Sequence, residues 1–223
     1  MADIDPKQIK DLRDKTGMGI SACKKALEDA QGDMDKAELI LRKMGINKAA
    51  TKADRPTGQG VIAVKFAADN SRAAILEMAC EQEPTTKNER FLVFVGQCLD
   101  AALASGAKDA EALLGIAVNG KPLKEHLTGL IGVASENMQL RRAAVLVAPP
   151  GGILGQYVHF NKKAGCLAAL KLAGVAAGNA AVRTAANDLC MHAVAARPIA
   201  LDRKSVPANV VEREKEVFRE EVK

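Results

Sequence analysis

The sequence predicts an α+β protein: a small N-terminal helical bundle, a linker, and a core of two hairpin-plus-helix halves. Three observations predict this. Aromatic residues are only 3% of the chain and Trp is absent, so the core must be built from Ala, Leu, Val, Ile and Met, which favours helix packing over a β-sandwich. Glycines divide the first fifty residues into short stretches with helical apolar spacing. Two later stretches, GVIAVKFAADNSRAAILEMA (60–79) and GILGQYVHFNKKAGCLAALKLA (152–173), echo each other: a glycine, an extended apolar run, a polar turn and a second apolar run. With 223 residues, 48% of them hydrophobic, the chain can bury at least one good core.

In order along the chain, Pro6 suits the first turn of a helix with Ile9 and Leu12 on its apolar edge, and Gly17 and Gly19 end it. Ser21 can cap a second helix that places Ile20, Cys23, Leu27 and Ala30 on one side, with Gly32 closing it. Asp33 can cap a third, with Ala37, Ile40, Leu41 and Met44 inward and Gly45 at its end. The stretch NKAATKADRPTGQG (47–60) has glycine and proline breakers and no apolar periodicity, and reads as a linker. Each echoing stretch reads as a β-hairpin followed by a helix, at 88–104 and 179–196, which points to a duplicated α+β core rather than βαβ crossovers. The first half adds a helix at 120–137 and a strand at 140–148 that is stopped by Pro149 and Pro150. A charged helix ends the second half. The domain boundaries are therefore 1–50 for the bundle, 51–60 for the linker, 61–150 for the first core half and 151–223 for the second.

Composition narrows the function. The net charge of +5 is modest, with 32 basic residues interleaved among 27 acidic ones, and no basic stripe or stacking platform marks a nucleic-acid surface. The five cysteines, Cys23, Cys80, Cys98, Cys166 and Cys190, are scattered among apolar neighbours with no C-x-x-C pair, as free thiols in a reducing compartment are. No apolar stretch is long enough for a membrane span, and the N-terminus has no signal or transit pattern. The expected place is cytosolic, or organellar after processing. P-loop, G-x-G-x-x-G, G-x-S-x-G and H-E-x-x-H motifs are absent, and His126, His159 and His192 show no metal-ligand spacing. Neither enzyme activity, metal nor cofactor is expected. Cys80 reads as a small residue at a strand end and His192 as a helix-face residue. His159, at a hairpin tip beside Phe160, sits where partner contacts collect.

Strings in the order LRDKTGMGISACKKALEDAQGDMDKAELILRKMG, KAATKADR, MACEQEPTTKNERF, SENMQLRR, GQYVHF and MHAVAARP resemble the elongation factor Ts family of bacteria and organelles over nearly the whole chain. The resemblance implies a ubiquitin-associated-like N-terminal domain, a core of two α+β halves, and guanine-nucleotide exchange on the translational GTPase elongation factor Tu. It implies partner contacts at Ile20, Ser21 and Lys24 on the second helix, at Gln82, Glu83 and Pro84 in the loop after the first core hairpin, and at His159 in the second half. From the residues alone, a core place in the bundle stays open for Ile20, and a solvated face for Lys24.

The sequence departs from the family pattern in three places. The family usually has two methionines where Ile20 and Ser21 stand. Its loop typically reads Cys-x-Thr-Asp-Phe-Val-Ala, whereas here Cys80 is followed by Glu81, Gln82, Glu83, Pro84, Thr85 and Thr86. The acidic position survives as Glu83, and Pro84 replaces the wedge aromatic. Many members continue beyond the position of Lys223 into a helical hairpin, so a naturally short member, a divergent paralogue and a trimmed chain are all expected readings of the end. The alternative to an exchange factor is a paralogue that binds the GTPase as a chaperone or sequestering module. An adaptor using only the bundle fits the large core poorly.

Overall fold

The structure is a computed structural model that describes residues 4–174 and 178–222. Lys223, on which the readings of the chain end turn, lies outside the described residues. The fold is α+β. Helix α1 (Pro6–Thr16) is capped by Asp5, whose carboxylate accepts the Lys7 amide at 2.8 Å, and it ends at Gly17 in the left-handed conformation, φ 71°. Helix α2 (Ile20–Asp29) follows after three residues. Helix α3 (Met34–Lys52) starts on Asp33, which caps the amides of Asp35 and Lys36 at 3.0 Å. Leu12, Met18, Cys23, Ala26, Leu27, Ala30, Ala37 and Leu41 form the core of this bundle.

Two expectations fail here for one reason. Helix α3 does not end at Gly45 but runs seven residues further, and the linker shrinks to residues 53–58 between it and the first strand. Gly45 is buried against Gly132 of a later helix. Helix α3 runs on through Gly45, and the missing side chain that the close contact requires is that of Gly132. The short connection is also pinned. The Asn137 side-chain amide donates to the carbonyls of Ala53 and Arg55 at 3.0 and 2.7 Å, and Arg141 donates to the Thr57 carbonyl at 2.5 Å.

In the core, β1 (Gln59–Phe66) and β2 (Arg72–Cys80) form the first hairpin. Helix α4 (Glu89–Ser105) packs across it from an Asn88 cap, followed by the short α5 (Ala110–Leu114). The helix expected over 120–137 is α6 (Leu123–Ala134), and the residues before it fold into a small ladder of β3 (Ala117–Val118) and β4 (Lys121–Pro122). Strand β5 (Met138–Val147) returns antiparallel to β2, giving the order β1-β2-β5. Phe91, Phe94, Leu76, Met78, Leu113, Leu123 and Met138 fill the space between sheet and helices.

The second half contains β6 (Ile153–Val158) and β7 (Gly165–Leu170) as a two-stranded sheet, with α7 (Ala180–Ala196) packed on it. The helix lies so close that a Cβ at Gly155 would come within 2.5 Å of the Ala186 carbonyl oxygen. The echo between the halves is therefore real at the level of hairpin plus helix, but among the described residues only the first half gains a third strand. Helix α8 (Ala208–Glu221) carries no buried residue. Among the described residues no helix is long and apolar enough to cross a membrane.

Candidate functional site

The turn between α1 and α2 is built by glycines. Gly17 donates its amide to the Arg13 carbonyl at 2.6 Å, and the chain then folds Met18 back into the bundle, where it is 6% exposed. The Cys23 thiol donates to the Met18 carbonyl at 3.6 Å. With that core position filled by Met18, Ile20 faces out at 57% exposure. It does not share the buried side of α2 with Cys23, Leu27 and Ala30, as its spacing suggested. Ser21 is not the cap either: Gly19 takes the cap position in extended conformation, φ −63° and ψ 151°, no side chain caps the helix, and Ser21 lies exposed in the first turn. Lys24 is exposed and pairs with Glu28 one turn on at 3.8 Å, a contact that contributes little in solvent.

The loop after β2 is held from beneath. The Cys80 thiol donates to the Gln82 carbonyl at 3.2 Å. The Glu136 carboxylate accepts the Thr85 hydroxyl at 2.6 Å and the Gln82 amide at 3.3 Å. Asn137, 3% exposed, donates its backbone amide to Glu81 at 2.6 Å, and Glu81 also pairs with Arg55 at 3.5 Å. Residues Glu83–Lys87 wind into a 3-10 turn with Pro84 near its start, and the Thr86 hydroxyl closes on the Glu83 carbonyl at 2.6 Å. Gln82, Glu83 and Pro84 therefore stand exposed on a loop braced through the Gln82 amide and the Thr85 and Thr86 hydroxyls. Glu83 pairs with Lys87 at 3.6 Å across exposed surface.

The turn before α2 touches the start of the helix that follows the loop. Arg90, in the first turn of α4, lays its guanidinium against Gly17 so closely that a Cβ there would overlap it. A side chain at Gly17 would have to displace the Arg90 guanidinium and would be strained at φ 71°. His159 belongs to the tip of the second hairpin, where Lys162 adopts φ 57° and donates its amide to the His159 carbonyl at 2.7 Å. This tip rests on the edge strand: the Ile62 amide donates to the Lys162 carbonyl at 2.7 Å and Lys163 Nζ to Gln59 Oε1 at 2.8 Å. Gln59 is the register partner of Cys80, so a chain of contacts links the tip to the loop.

His159 is less exposed than its place in a turn suggested, because Tyr157 and Phe160 flank it. The Tyr157 hydroxyl lies 2.9 Å from Nδ1, and the Phe160 ring stands 4.4 Å from the imidazole while remaining 87% exposed. Sequence reasoning marked Phe160 only as a neighbour, and it missed Arg90, Glu136 and Asn137. The signal for the last two was present in the string SENMQLRR, but nothing local says what they hold.

Burial pushes the Cys98 thiol up to about 12. It pushes Cys190 up to about 12 with help from neighbouring Cys166, and Cys80 up to about 11 with help from the Glu136 charge. Such thiols are poor nucleophiles at neutral pH. His126 Nε2 lies 2.8 Å from the Val118 carbonyl, a structural bond, and His192 is exposed on α7. Among the described residues no three His, Cys, Asp or Glu side chains are grouped to hold a metal ion.

Comparison with known proteins supplies the remaining observation. A family model described as Elongation factor TS matches residues 85–223. Proteins named Elongation factor Ts are similar along nearly the whole chain. The one from Chlorobium phaeobacteroides (strain BS1) is 37% identical over 225 residues, covering 99% of this chain and 76% of the relative. That of Acidithiobacillus ferrooxidans (strain ATCC 53993 / BNL-5-31) is 39% identical, covering 96% and 70%. That of Nautilia profundicola is 35% identical, covering 98% and 71%.

Proposed function

The chain belongs to the elongation factor Ts family, and from that premise we propose that it is a guanine-nucleotide exchange factor that promotes GDP release from elongation factor Tu in the cytoplasm. The observation that carries the reading is an exposed α2 start and an exposed loop with its own internal bracing, each on an element linked to the other through the contact of Gly17 with Arg90 of α4. A braced, exposed loop suits a protein that works by pressure on a partner. It makes and breaks no covalent bond. It binds a conformation of the GTPase that holds GDP and Mg²⁺ badly, so its own affinity and that of the nucleotide oppose each other.

Ile20, Ser21, Lys24, Gln82, Glu83 and Pro84 would press near the nucleotide, and His159 would grip another part of the GTPase. Bracing matters because a loop that yields on contact spends binding energy on its own ordering. One observation favours a second reading. Pro84 stands exposed at the tip of the loop where the family's wedge aromatic is expected, so a protein that docks well and exchanges slowly, acting as a chaperone or sequestering partner, is the neighbouring possibility. Release of a fluorescent GDP analogue from elongation factor Tu, followed with and without this protein, separates the two. A clear acceleration supports exchange; binding without acceleration supports the second reading, and no binding refutes both.

A further inference from the structure

We infer that the crossing of α3 and α6 at Gly45 and Gly132 is a positioning device that fixes the α2 start relative to the Gln82–Thr86 loop, so that bundle and core press on the GTPase as one body. The inference rests on the exchange reading above for its functional arm only. The sequence placed a flexible linker between bundle and core. Instead α3 crosses the boundary, and the two hydrophobic clusters share residues across it: Ala49 of α3 packs against the core cluster, and Val133 of α6 packs against the bundle cluster. Arg42 of α3 pairs with Glu125 of α6, and Lys48 Nζ reaches the Gly132 carbonyl at 3.4 Å and the Ser135 hydroxyl at 3.3 Å.

At the centre of the crossing the two backbones meet without side chains. The contact is asymmetric in a way that makes it testable. A Cβ on Gly132 would lie 2.7 Å from the Gly45 Cα, a backbone atom that cannot step aside. A Cβ on Gly45 would meet nothing nearer than 3.9 Å, which is ordinary contact. Gly129, one turn earlier on α6, faces open space. All three are helical positions where Ala is intrinsically the better residue, so local helix preference predicts the same small gain for each substitution. The crossing predicts that Gly132→Ala alone forces the helices apart. Because α3 carries the bundle and α6 belongs to the core, an opening at the crossing shifts the α2 start relative to the loop.

The test compares Gly132→Ala with Gly45→Ala and Gly129→Ala in the full chain, by two measurements. Trypsin cleavage after Lys48 and Lys52 needs no GTPase, and reports how often α3 lifts off α6. It should quicken by about fivefold or more in Gly132→Ala and stay near the original in the other two, since cleavage follows the open population when opening is fast. For GDP release from elongation factor Tu, the rate at saturating protein should fall by about tenfold in Gly132→Ala while the half-saturating concentration changes less, because misplacement removes a contact made in the releasing state. Equal cleavage of Gly132→Ala and the unsubstituted protein overturns the inference. So does unchanged release despite faster cleavage, or an equal loss in Gly129→Ala. If the unsubstituted protein itself accelerates no release, the exchange reading fails, and the cleavage comparison still decides whether the crossing locks bundle to core.

Discussion

In the first half of the core the exposed segment is the loop that follows the hairpin, Gln82–Thr86, polar at its surface and bonded from below by Glu136. In the second half it is the turn of the hairpin itself, where Phe160 is 87% exposed and its ring lies tilted against His159. The halves share one plan, yet the stiff loop has lost the apolar tip expected of a wedge, and the turn carries an aromatic that no core claims. Stiffness suits force and apolar area suits grip. The comparison suggests that in this chain the two tasks have drifted apart onto different hairpins.

The substitution with the largest expected effect restores an apolar tip to the stiff loop. A Phe fully buried in a partner contributes about 1.5 to 3 kcal/mol, of which Pro recovers part. If the contact forms mainly in the nucleotide-releasing state, Pro84→Phe should quicken GDP release by roughly tenfold to a hundredfold while tightening binding less. Stopped-flow release of a labelled GDP measures this, and a rate no faster than the original would move the wedge to another element.

Removing the brace should act in the opposite direction. Glu136→Ala strips the acceptor from the Thr85 hydroxyl and the Gln82 amide, and a buried donor left without a partner costs about 1 to 3 kcal/mol. Thr85 is 8% exposed. GDP release should slow by about tenfold as the loop yields, with the melting temperature falling by only a few degrees. Parallel release and calorimetric scans check both parts. A normal rate with a softened loop would mean that stiffness there does not matter.

How much of this was legible in the sequence depended on range. The cap at Asp33 and both hairpins were readable because their signals lie within a few residues of their effects. Gly45 was misread as a helix stop because its partner, Gly132, is distant in sequence and itself looks like an unremarkable helix residue. Ile20 has the spacing of a core residue, and only the fold of Met18 into the bundle turns it outward. The bracing by Glu136 and Asn137 spans more than fifty residues and leaves no local pattern. Of the candidate contacts, those on α2 are linked to the region of the loop through Gly17 and Arg90, and His159 through Lys163, Gln59 and Cys80.

Smaller effects sharpen the contrast from the second half. Phe160→Ala should weaken binding to elongation factor Tu on the order of tenfold, as loss of an aromatic anchor does, while leaving the release rate at saturation unchanged. Titration calorimetry beside saturated release kinetics reads the two separately, and a fall in saturated rate would place force at the grip. The smallest expected effect is none. With Cys80 held at about 11 and Cys98 and Cys190 at about 12, about one such thiol in a thousand or fewer is ionised at pH 8. Brief iodoacetamide treatment at that pH should leave release unchanged, and inactivation that tracks alkylation at Cys80 would give a thiol a part in the loop.

The central claim is that this protein and GDP compete for the conformation of the GTPase. The direct measurement is the Kd of this protein for elongation factor Tu, by calorimetric titration, first free of nucleotide and then with saturating GDP and Mg²⁺. Linkage requires the Kd to rise with GDP by the same factor by which the protein raises the Kd for GDP. Coupling energies of 1 to 3 kcal/mol are typical, about 5- to 150-fold, and a rise of at least that order is predicted. Equal affinity in both titrations would contradict the account, because a partner that binds both states alike cannot drive the nucleotide out.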